Sequence, residues 1–463
     1  MKKINIVILI FYLFSFCPAV ESYSLKKTVD TFLEKSNYQK IRQEQKQQQR
    51  LLLQNSKANF LPTISSNFTL PGYYHSSNTP LDTLWNNYTY LSSNITLTQN
   101  FPFNADLQFT KSFNYDFENS NKYYNSSSSL QLDYHLFKKN ELKLEYKKNR
   151  LYFNQLNLEQ QNQLNTDIYE LCQKYYDATL QKINVNILQK RLDRNSKIQR
   201  MSEIKYNAGI IDILTYNQIR LQAKQTELEL KEAEKNLDYY LQMVADYIDI
   251  PKLDSISADT TIFFWSQQEF SLKSNPEINS MLINTNIYDI NQKLVKDEFD
   301  WYLTLGGEYN WGGDGTDFDE FKNDLTTSDY SAYLGVTFPI YDGRISRRKE
   351  LRYKSQRREQ IFSIEERKKT LDTRWNYLNK MIELLKDKIN VYRQTLKLSK
   401  NNLELATGKM LRGEISYYEW NQIEQEYEQN KLNLLNKTIE LNEYILEANK
   451  ILGNNLVEIV NNN

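Results

Sequence analysis

Gly312, Gly313 and Gly315 surround Asp314, and Asp317 and Asp319 follow. Carboxylates beside glycines hint at calcium, but the spacing matches no calcium-loop pattern, so the segment reads as a solvated acidic loop. The two histidines of the chain cannot be assembled into a metal cluster. Cys17 would serve a lipoprotein signal, but Phe16 stands where that signal needs a small residue. Cys172 shares a helical face with Ile168, Leu171 and Tyr175, which gives it a packing role. There is no nucleophile with a histidine partner, no Walker loop and no dinucleotide fingerprint. The sequence therefore predicts no catalytic residues, no cofactor and no metal, and points away from an enzyme.

The elements that could organise such a chain are long ones. Its 463 residues include only 12 Gly and 8 Pro, against 34 Tyr and 21 Phe. Basic and acidic residues balance at 58 each, which gives no electrostatic case for nucleic acid. Mean hydropathy is −0.69, and no run of about 18 apolar residues follows the N-terminus, which excludes a polytopic helical membrane protein. Lys2 and Lys3 precede an apolar run from Ile4 to Phe16, too short to span a bilayer comfortably. Residues 1–22 are the predicted secretory signal, cleaved after Ala19 or Ser22. The remaining chain has one cysteine, hence no intramolecular disulfide.

The chain says one thing twice. Tyr206-Asn207-Ala208-Gly209-Ile210-Ile211-Asp212 leads to Asn217-Gln218-Ile219. Met410-Leu411-Arg412-Gly413-Glu414-Ile415-Ser416 leads to Asn421-Gln422-Ile423, at an offset of 204 residues. The same offset relates Tyr134-His135-Leu136-Phe137 to Phe338-Pro339-Ile340-Tyr341. Upstream, Asn37 and Asn275 are 238 apart, so the first half carries 34 extra residues between positions 61 and 134. The predicted divisions are a first repeat at 23–250, a linker at 251–270, a second repeat at 271–453 and a disordered tail at 454–463.

Within each repeat the hydrophobic period changes from helix to strand and back. Leu371, Trp375, Leu378, Ile382, Leu385, Ile389, Tyr392 and Leu396 keep a 3–4 spacing, interrupted only at Lys368 and Ser399, within a stretch from about Ile345 to Met410 that has no Pro and, of glycines, only Gly408. A sustained seven-residue seam of this kind makes helices supercoil. Its counterpart runs from about Asn140 to Asn207, and after each glycine a second helix returns, to about Asp249 and Leu452. Shorter helices open the halves, from about Leu25 to Asn59 and from Pro276 to Glu298, the second with Asn275 as its cap.

Between the helices the pattern alternates with period two. Ile64 and Phe68 oppose Ser65 and Asn67; Leu107 and Phe109 oppose Asp106 and Gln108; Leu130 and Leu132 oppose Gln131 and Asp133. Leu303 and Leu305, then Leu334 and Val336, continue it in the second half. Such strands suit a membrane barrel with lipid outside and water inside, and the export signal favours it over a soluble sandwich. Polar stretches from Pro71 to about Asn87, Asp116 to Lys122 and Gly312 to Ser328 are the expected outward loops, and Phe101–Asn104 the short inward turn. Tyr73, Tyr74, Tyr88, Tyr123, Tyr124 and Trp311 suit a headgroup girdle. Arg344, Arg347, Arg348 and Lys349, with Lys138, Lys139 and Lys143, make a basic belt after the last strand of each half.

This order of signal, helix, strands, long helix, glycine tip and return helix resembles the TolC-like outer-membrane efflux protein family over about residues 24 to 453. The matching residues are Leu61-Pro62, Asn275-Pro276, Phe338-Pro339-Ile340-Tyr341-Asp342-Gly343 and the Gly209 and Gly413 tips. Asn37-Tyr38 and Phe299-Asp300 lack the proline of the pattern. The resemblance implies a mainly α fold with a membrane β-barrel, in which long antiparallel coiled-coil hairpins form a trimeric barrel and an α-helical periplasmic tunnel. It implies an outer-membrane channel of a tripartite efflux or type I secretion system. Its partners would be two further copies, a periplasmic adaptor, an inner-membrane transporter and outer-membrane lipid. The adaptor would dock on Tyr206, Asn207, Ala208, Gly209, Ile210, Ile211 and Asp212, and on Met410, Leu411, Arg412, Gly413, Glu414, Ile415 and Ser416. The tunnel gate would fall on Glu419 and Gln422, where only the first keeps the acidic character of the family. Family members generally give two strands per half, so the 34 extra residues leave twelve or eighteen strands per trimer open. Two other classes share parts of the pattern. A periplasmic adaptor has a long helical hairpin, but one only, flanked by lipoyl-like halves. An exported coiled-coil structural protein has no use for six amphipathic strands.

Overall fold

A computed structural model of the chain describes residues 22–76, 86–116, 123–258, 260–265, 269–315 and 327–462. The predicted signal lies outside them except for Ser22, which opens strand β1 (Ser22–Tyr23). Helices α1 (Leu25–Lys35) and α2 (Asn37–Ala58) follow, parted at Ser36, and then strands β2 (Thr63–Ser76), β3 (Asn86–Phe101), β4 (Ala105–Asp116) and β5 (Tyr123–Leu136). The first long hairpin is α3 (Glu141–Asn207) and α4 (Ile213–Tyr247). After β6 (Ser255–Ile256), the second half gives α5 (Pro276–Glu298), β7 (Tyr302–Gly315), β8 (Thr327–Thr337), α6 (Ile345–Arg412) and α7 (Tyr417–Leu452). Helix α8 (Leu456–Asn461) comes last. The helix limits expected from the 3–4 spacing are met to within two residues at α3, α4, α5, α6 and α7.

The chain divides into two units. One comprises residues 46–157 and 280–364 and carries a six-stranded sheet in the order β2-β3-β4-β5-β7-β8, every neighbouring pair antiparallel. The 34-residue excess is the β3–β4 hairpin, inserted between β2 and β5 as part of the same sheet. Its short turn is the predicted one, with Asn104 at φ 63°, a conformation asparagine tolerates better than most residues.

The register explains the alternation. Ile64 faces Leu97, which faces Phe109, then Leu130, Tyr309 and Tyr330, an apolar row across all six strands. The adjacent row is Thr63, Thr98, Gln108, Gln131, Glu308 and Ser331, all polar. A slip of one residue in any pair would place carboxylates among leucines, so the pattern itself holds the register. The apolar face is open: Ile64 is 72% and Leu334 67% exposed.

Two expectations about loops are corrected here. Pro71-Gly72 begins no loop but lies inside β2, where the pairing with β3 shifts between Thr69 and Gly72. An edge strand tolerates proline because one side of its ladder has no partner. Likewise Gly312–Gly315 and Thr327–Ser328 are strand, so the acidic loop shrinks; Asp314 lies within β7, and Asp317 and Asp319 lie outside the described residues. Residues 77–85 and 117–122 of the other two outward loops also lie outside them.

The second unit comprises residues 22–45, 158–279 and 365–462 of the described chain. Ile168, Leu171, Cys172 and Tyr175 are fully buried on α3, and Leu378, Ile382 and Leu385 on α6. Burial pushes the Cys172 thiol up to about 12, so it stays protonated and packs as an apolar group. The linker at 251–270 is tied down: Ser22 and Tyr23 pair in parallel with Ser255 and Ile256, and the Tyr175 hydroxyl donates to the Ser257 carbonyl at 2.7 Å. Asn275 caps α5 as expected, accepting from the Ile278 N–H at 2.9 Å and donating to the Ile451 carbonyl at 2.8 Å.

The tail expected to be disordered is ordered instead. Asn455 caps α8, Leu456 and Val460 are buried, and Lys26 donates to the Asn461 carbonyl at 3.2 Å. Its few apolar residues were too short a run to announce a helix, and α1 supplies the surface that stabilises it.

Candidate functional site

Both tips are built by the same local rule. Gly209 and Gly413 take φ of 72° and 80°, the left-handed conformation that costs other residues a Cβ clash. Around them Ile210 N–H donates to the Lys205 carbonyl at 2.8 Å, and Glu414 N–H to the Lys409 carbonyl at 3.0 Å. These six-to-one bonds are Schellman caps, which satisfy carbonyls that the helix end leaves open. The returning helices start on Asp212, accepting from Thr215 N–H at 2.7 Å, and on Ser416. Tyr206 stacks on Tyr216 with ring centroids 5.1 Å apart, bracing the first turn.

The two tips meet. Met201, Ile211, Ile219, Met410, Leu411 and Ile415 line one groove between them, with about 680 Å³ of empty space partly open to solvent. Ile204 and Ile210 are each 70% exposed beside it. Of the residues expected to receive a partner, Ile211, Met410, Leu411, Gly413 and Ile415 line this groove, and Tyr206–Ile210, Asp212, Arg412, Glu414 and Ser416 do not.

Glu419 has a role that the sequence reading passed over. Its carboxylate accepts from the Ser416 N–H at 2.8 Å, and its own N–H donates to the Ser416 hydroxyl oxygen at 3.2 Å. This reciprocal capping box holds the carboxyl below its usual range. The signal was present as Ser416-x-x-Glu419 at the start of an apolar run. Gln422 is exposed one turn further on.

Beyond the tips, α3 and α7 are joined by ions that sequence reasoning missed entirely. Arg191 donates through Nε to Glu428 at 2.8 Å and through Nη1 to Glu229 at 3.1 Å. Arg194 reaches Glu428 at 2.8 Å and also pairs with Glu424. Glu424 is fully buried with Oε2 unpartnered, and burial pushes its carboxyl up to about 7 although Arg194 favours the ionised form. No spacing in one helix reveals such a cluster, because its members come from both repeats.

On the sheet, the polar face gathers Asp106, Asp133, Glu308, Asp314 and Asp329, and among the described residues no lysine or arginine shares it. His135 bridges two strands, with Nδ1 3.0 Å from the Thr304 hydroxyl and Nε2 3.2 Å from Asp106. The Tyr333 hydroxyl donates to Asp133 at 2.5 Å across the side-chain-free Gly306. Lys111 is the one cation among the described strand residues, and it stands on the other face. Of the basic belt, Lys349 pairs with Glu298 at 3.1 Å and Lys139 with Asp297 at 3.8 Å.

No family model matches the sequence, and no curated protein does. Solved structures do. The chain is 16% identical to the CmeC outer membrane channel of Campylobacter jejuni, covering 93% of this chain and 85% of that one at a TM-score of 0.68. It is 13% identical to the MtrE outer membrane channel of Neisseria gonorrhoeae in its open state, over 93% and 89% at 0.67. The outer membrane protein VceC of Vibrio cholerae is 11% identical over 94% and 96%, at 0.64. The fold is that of the TolC-like outer-membrane channels, as the resemblance implied.

Proposed function

We propose that the chain is an outer-membrane channel, a passive conduit that carries substrates delivered by an inner-membrane transporter and a periplasmic adaptor across the periplasm and outer membrane. One observation carries this reading: six strands of 11 to 16 residues form a single sheet with one apolar, exposed face and one polar face. A bilayer core needs about 9–11 residues per strand, and exposed leucines and aromatics on one side suit lipid. The sheet is open at β2 and β8, and open edges in lipid are costly, so closure calls for further copies. β2 and β8 run in opposite directions, so the last strand of one copy can pair antiparallel with the first of the next.

A homotrimer closes the barrel with eighteen strands, six from each chain. The paired tips, Tyr206 to Asp212 and Met410 to Ser416, receive the adaptor, and their shared apolar groove supports this. Glu419 and Gln422 lie at the tunnel gate in this reading, although the capping box already occupies the Glu419 carboxylate. Two hairpins with strands before each argue against an adaptor, and the sheet argues against a structural coiled coil. Electron microscopy of the purified mature protein in lipid tests the proposal: a threefold tube with eighteen strands is expected, and separate monomers without a closed barrel would overturn it. Glu419→Gln should lower cation preference in single-channel recordings if the gate assignment holds; unchanged selectivity removes it.

A further inference from the structure

The end of the sheet from which the helices leave carries apolar side chains that nothing in the chain covers. Phe338 is 68%, Ile340 93% and Tyr341 78% exposed. Trp301 stands at the same end, its ring centroid 5.4 Å from that of Phe137 and 6.5 Å from that of Phe338. Trp301 and Phe338 lie two residues beyond the paired Leu303 and Val336, on the apolar face. Trp311 occupies the same face of β7 ten residues further on. Ten residues at about 3.3 Å each, tilted by about 40°, span about 25 Å, the height of the apolar band of a membrane barrel. On the channel reading, Trp301, Phe137 and Phe338 thus mark the periplasmic edge of the hydrocarbon.

Cations follow at once. Arg344, Arg347, Arg348 and Lys349 all come within eleven residues of Phe338. Two of them are engaged, since Arg348 donates to the Gly343 carbonyl at 2.7 Å and Lys349 pairs with Glu298 at 3.1 Å. The nearby carboxylates are engaged as well. Asp342 caps α6 by accepting from the Ser346 N–H at 2.7 Å, and Glu350 pairs with Lys354 at 3.0 Å and accepts from Gln292 at 3.1 Å. The exposed guanidiniums of Arg344 and Arg347 are left without a partner among the described residues. Lys138 takes no part, because its ammonium lies over the Tyr302 ring at 5.0 Å.

Exposed rings followed by unpaired arginines have a specific chemical complement. The headgroup layer of a bilayer begins where the hydrocarbon ends and is about 5–7 Å deep on each side. Arg344 and Arg347 are three residues apart, about 5 Å along a helix axis, close enough for both to reach one phosphate. A guanidinium grips phosphate oxygens through paired N–H groups, which an ammonium cannot do. A zwitterionic headgroup brings its own cation to the phosphate, whereas an anionic headgroup leaves a net negative charge for the protein to meet.

We infer that Phe338, Ile340 and Tyr341, with Arg344 and Arg347, form a docking site for an anionic phospholipid of the periplasmic leaflet. The apolar side chains take the glycerol and upper acyl region, and the two arginines take the phosphate. This rests on the channel reading and adds the class of lipid that the sheet selects at its inner edge.

The test uses the full mature chain carrying Trp311→Phe, so that Trp301 reports on this edge, in phosphatidylcholine vesicles doped with brominated phosphatidylglycerol or brominated phosphatidylcholine. Bromines quench adjacent tryptophan, and a preference for phosphatidylglycerol of roughly 10–30-fold is expected from two arginines. Arg344→Gln with Arg347→Gln should bring the two lipids to near parity. Lys368→Gln with Lys369→Gln, which removes the same charge from exposed positions of α6, should leave the preference intact. Raising the salt from about 0.1 to 1 M should reduce it in the chain with both arginines, a readout that does not depend on the double variant folding. Equal quenching by both lipids, or a preference kept by the arginine variant, would overturn the site while leaving the channel standing. Loss of the preference on adding inorganic phosphate at constant ionic strength would overturn the lipid assignment in favour of a free-anion site. A Trp301 quenched by neither lipid would put this face outside the bilayer and remove the channel reading too.

Discussion

Gly413 and Gly453 share φ of 80° but not their surroundings, and that difference is measurable. A Cβ at Gly413 meets nothing within 4 Å, whereas at Gly453 it would stand 2.5 Å from the Ser274 carbonyl oxygen. Gly413→Ala should therefore cost only the conformational penalty of about 1 kcal/mol. Gly453→Ala must also displace backbone, and thermal melts should rank it clearly the less stable; equal melting points would mean the clash is relieved at no cost. Glu424 offers a second test. Its carboxyl titrates near 7 in the fold against an ordinary 4.5, so between those values the folded chain holds a proton that the unfolded chain releases. Stability from this group is complete below about pH 4.5 and declines as pH rises toward 7, by on the order of 1–3 kcal/mol. Glu424→Gln should flatten that slope between pH 5 and 7.5 in denaturation experiments, and an unchanged slope would show that Glu424 is ionised throughout. At this scale the sequence was legible where chemistry is local, as at the Asn275 cap and the glycine tips. It was silent on Glu424, whose neighbours Arg191 and Arg194 are over two hundred residues away.

Elements were far more legible than their contacts. A 3–4 spacing sustained over sixty residues has no competing interpretation, so α3 and α6 were set within two residues. Strands were found but cut short, because Pro71-Gly72 and the glycines at 312–315 carry turn composition within a strand. The extra hairpin was visible as a gap in the repeat, but only pairing places it inside the sheet: Leu97 on β3 and Phe109 on β4 stand between Ile64 and Leu130 on one apolar row. Because the insertion is an even number of strands and keeps that row, β2 and β5 retain compatible faces and opposite directions. Removing Asn86–Asp116 should let β2 pair directly with β5, leaving four strands per chain. If the barrel closes as proposed, single-channel conductance falls in that variant, while loss of assembly would show that the hairpin is needed to complete the sheet.

For the whole molecule, if the barrel closes as proposed, the five carboxylates on the polar sheet face predict a pore that favours cations. Reversal potentials in a salt gradient should report it, and Asp133→Asn with Glu308→Gln should reduce the preference more than neutralising Lys111 on the opposite face. A pore indifferent to both changes would place selectivity elsewhere along its length. The sequence conveyed the duplication that organises all of this, yet not that its two ends are clasped together. Lys26 reaches Asn461, Asn461 reaches Asp30 at 3.4 Å, and the buried Leu25 and Leu456 belong to the same junction. Contacts that span the entire chain are the slowest kind to make, since the loop they close must be paid for in entropy first. If the chain is exported N-terminus first, as the proposed function requires, this junction forms only after residues 456–461 have crossed. Until then, α1 would rest on its other contacts alone, among them the stacking of Phe32 on Tyr247.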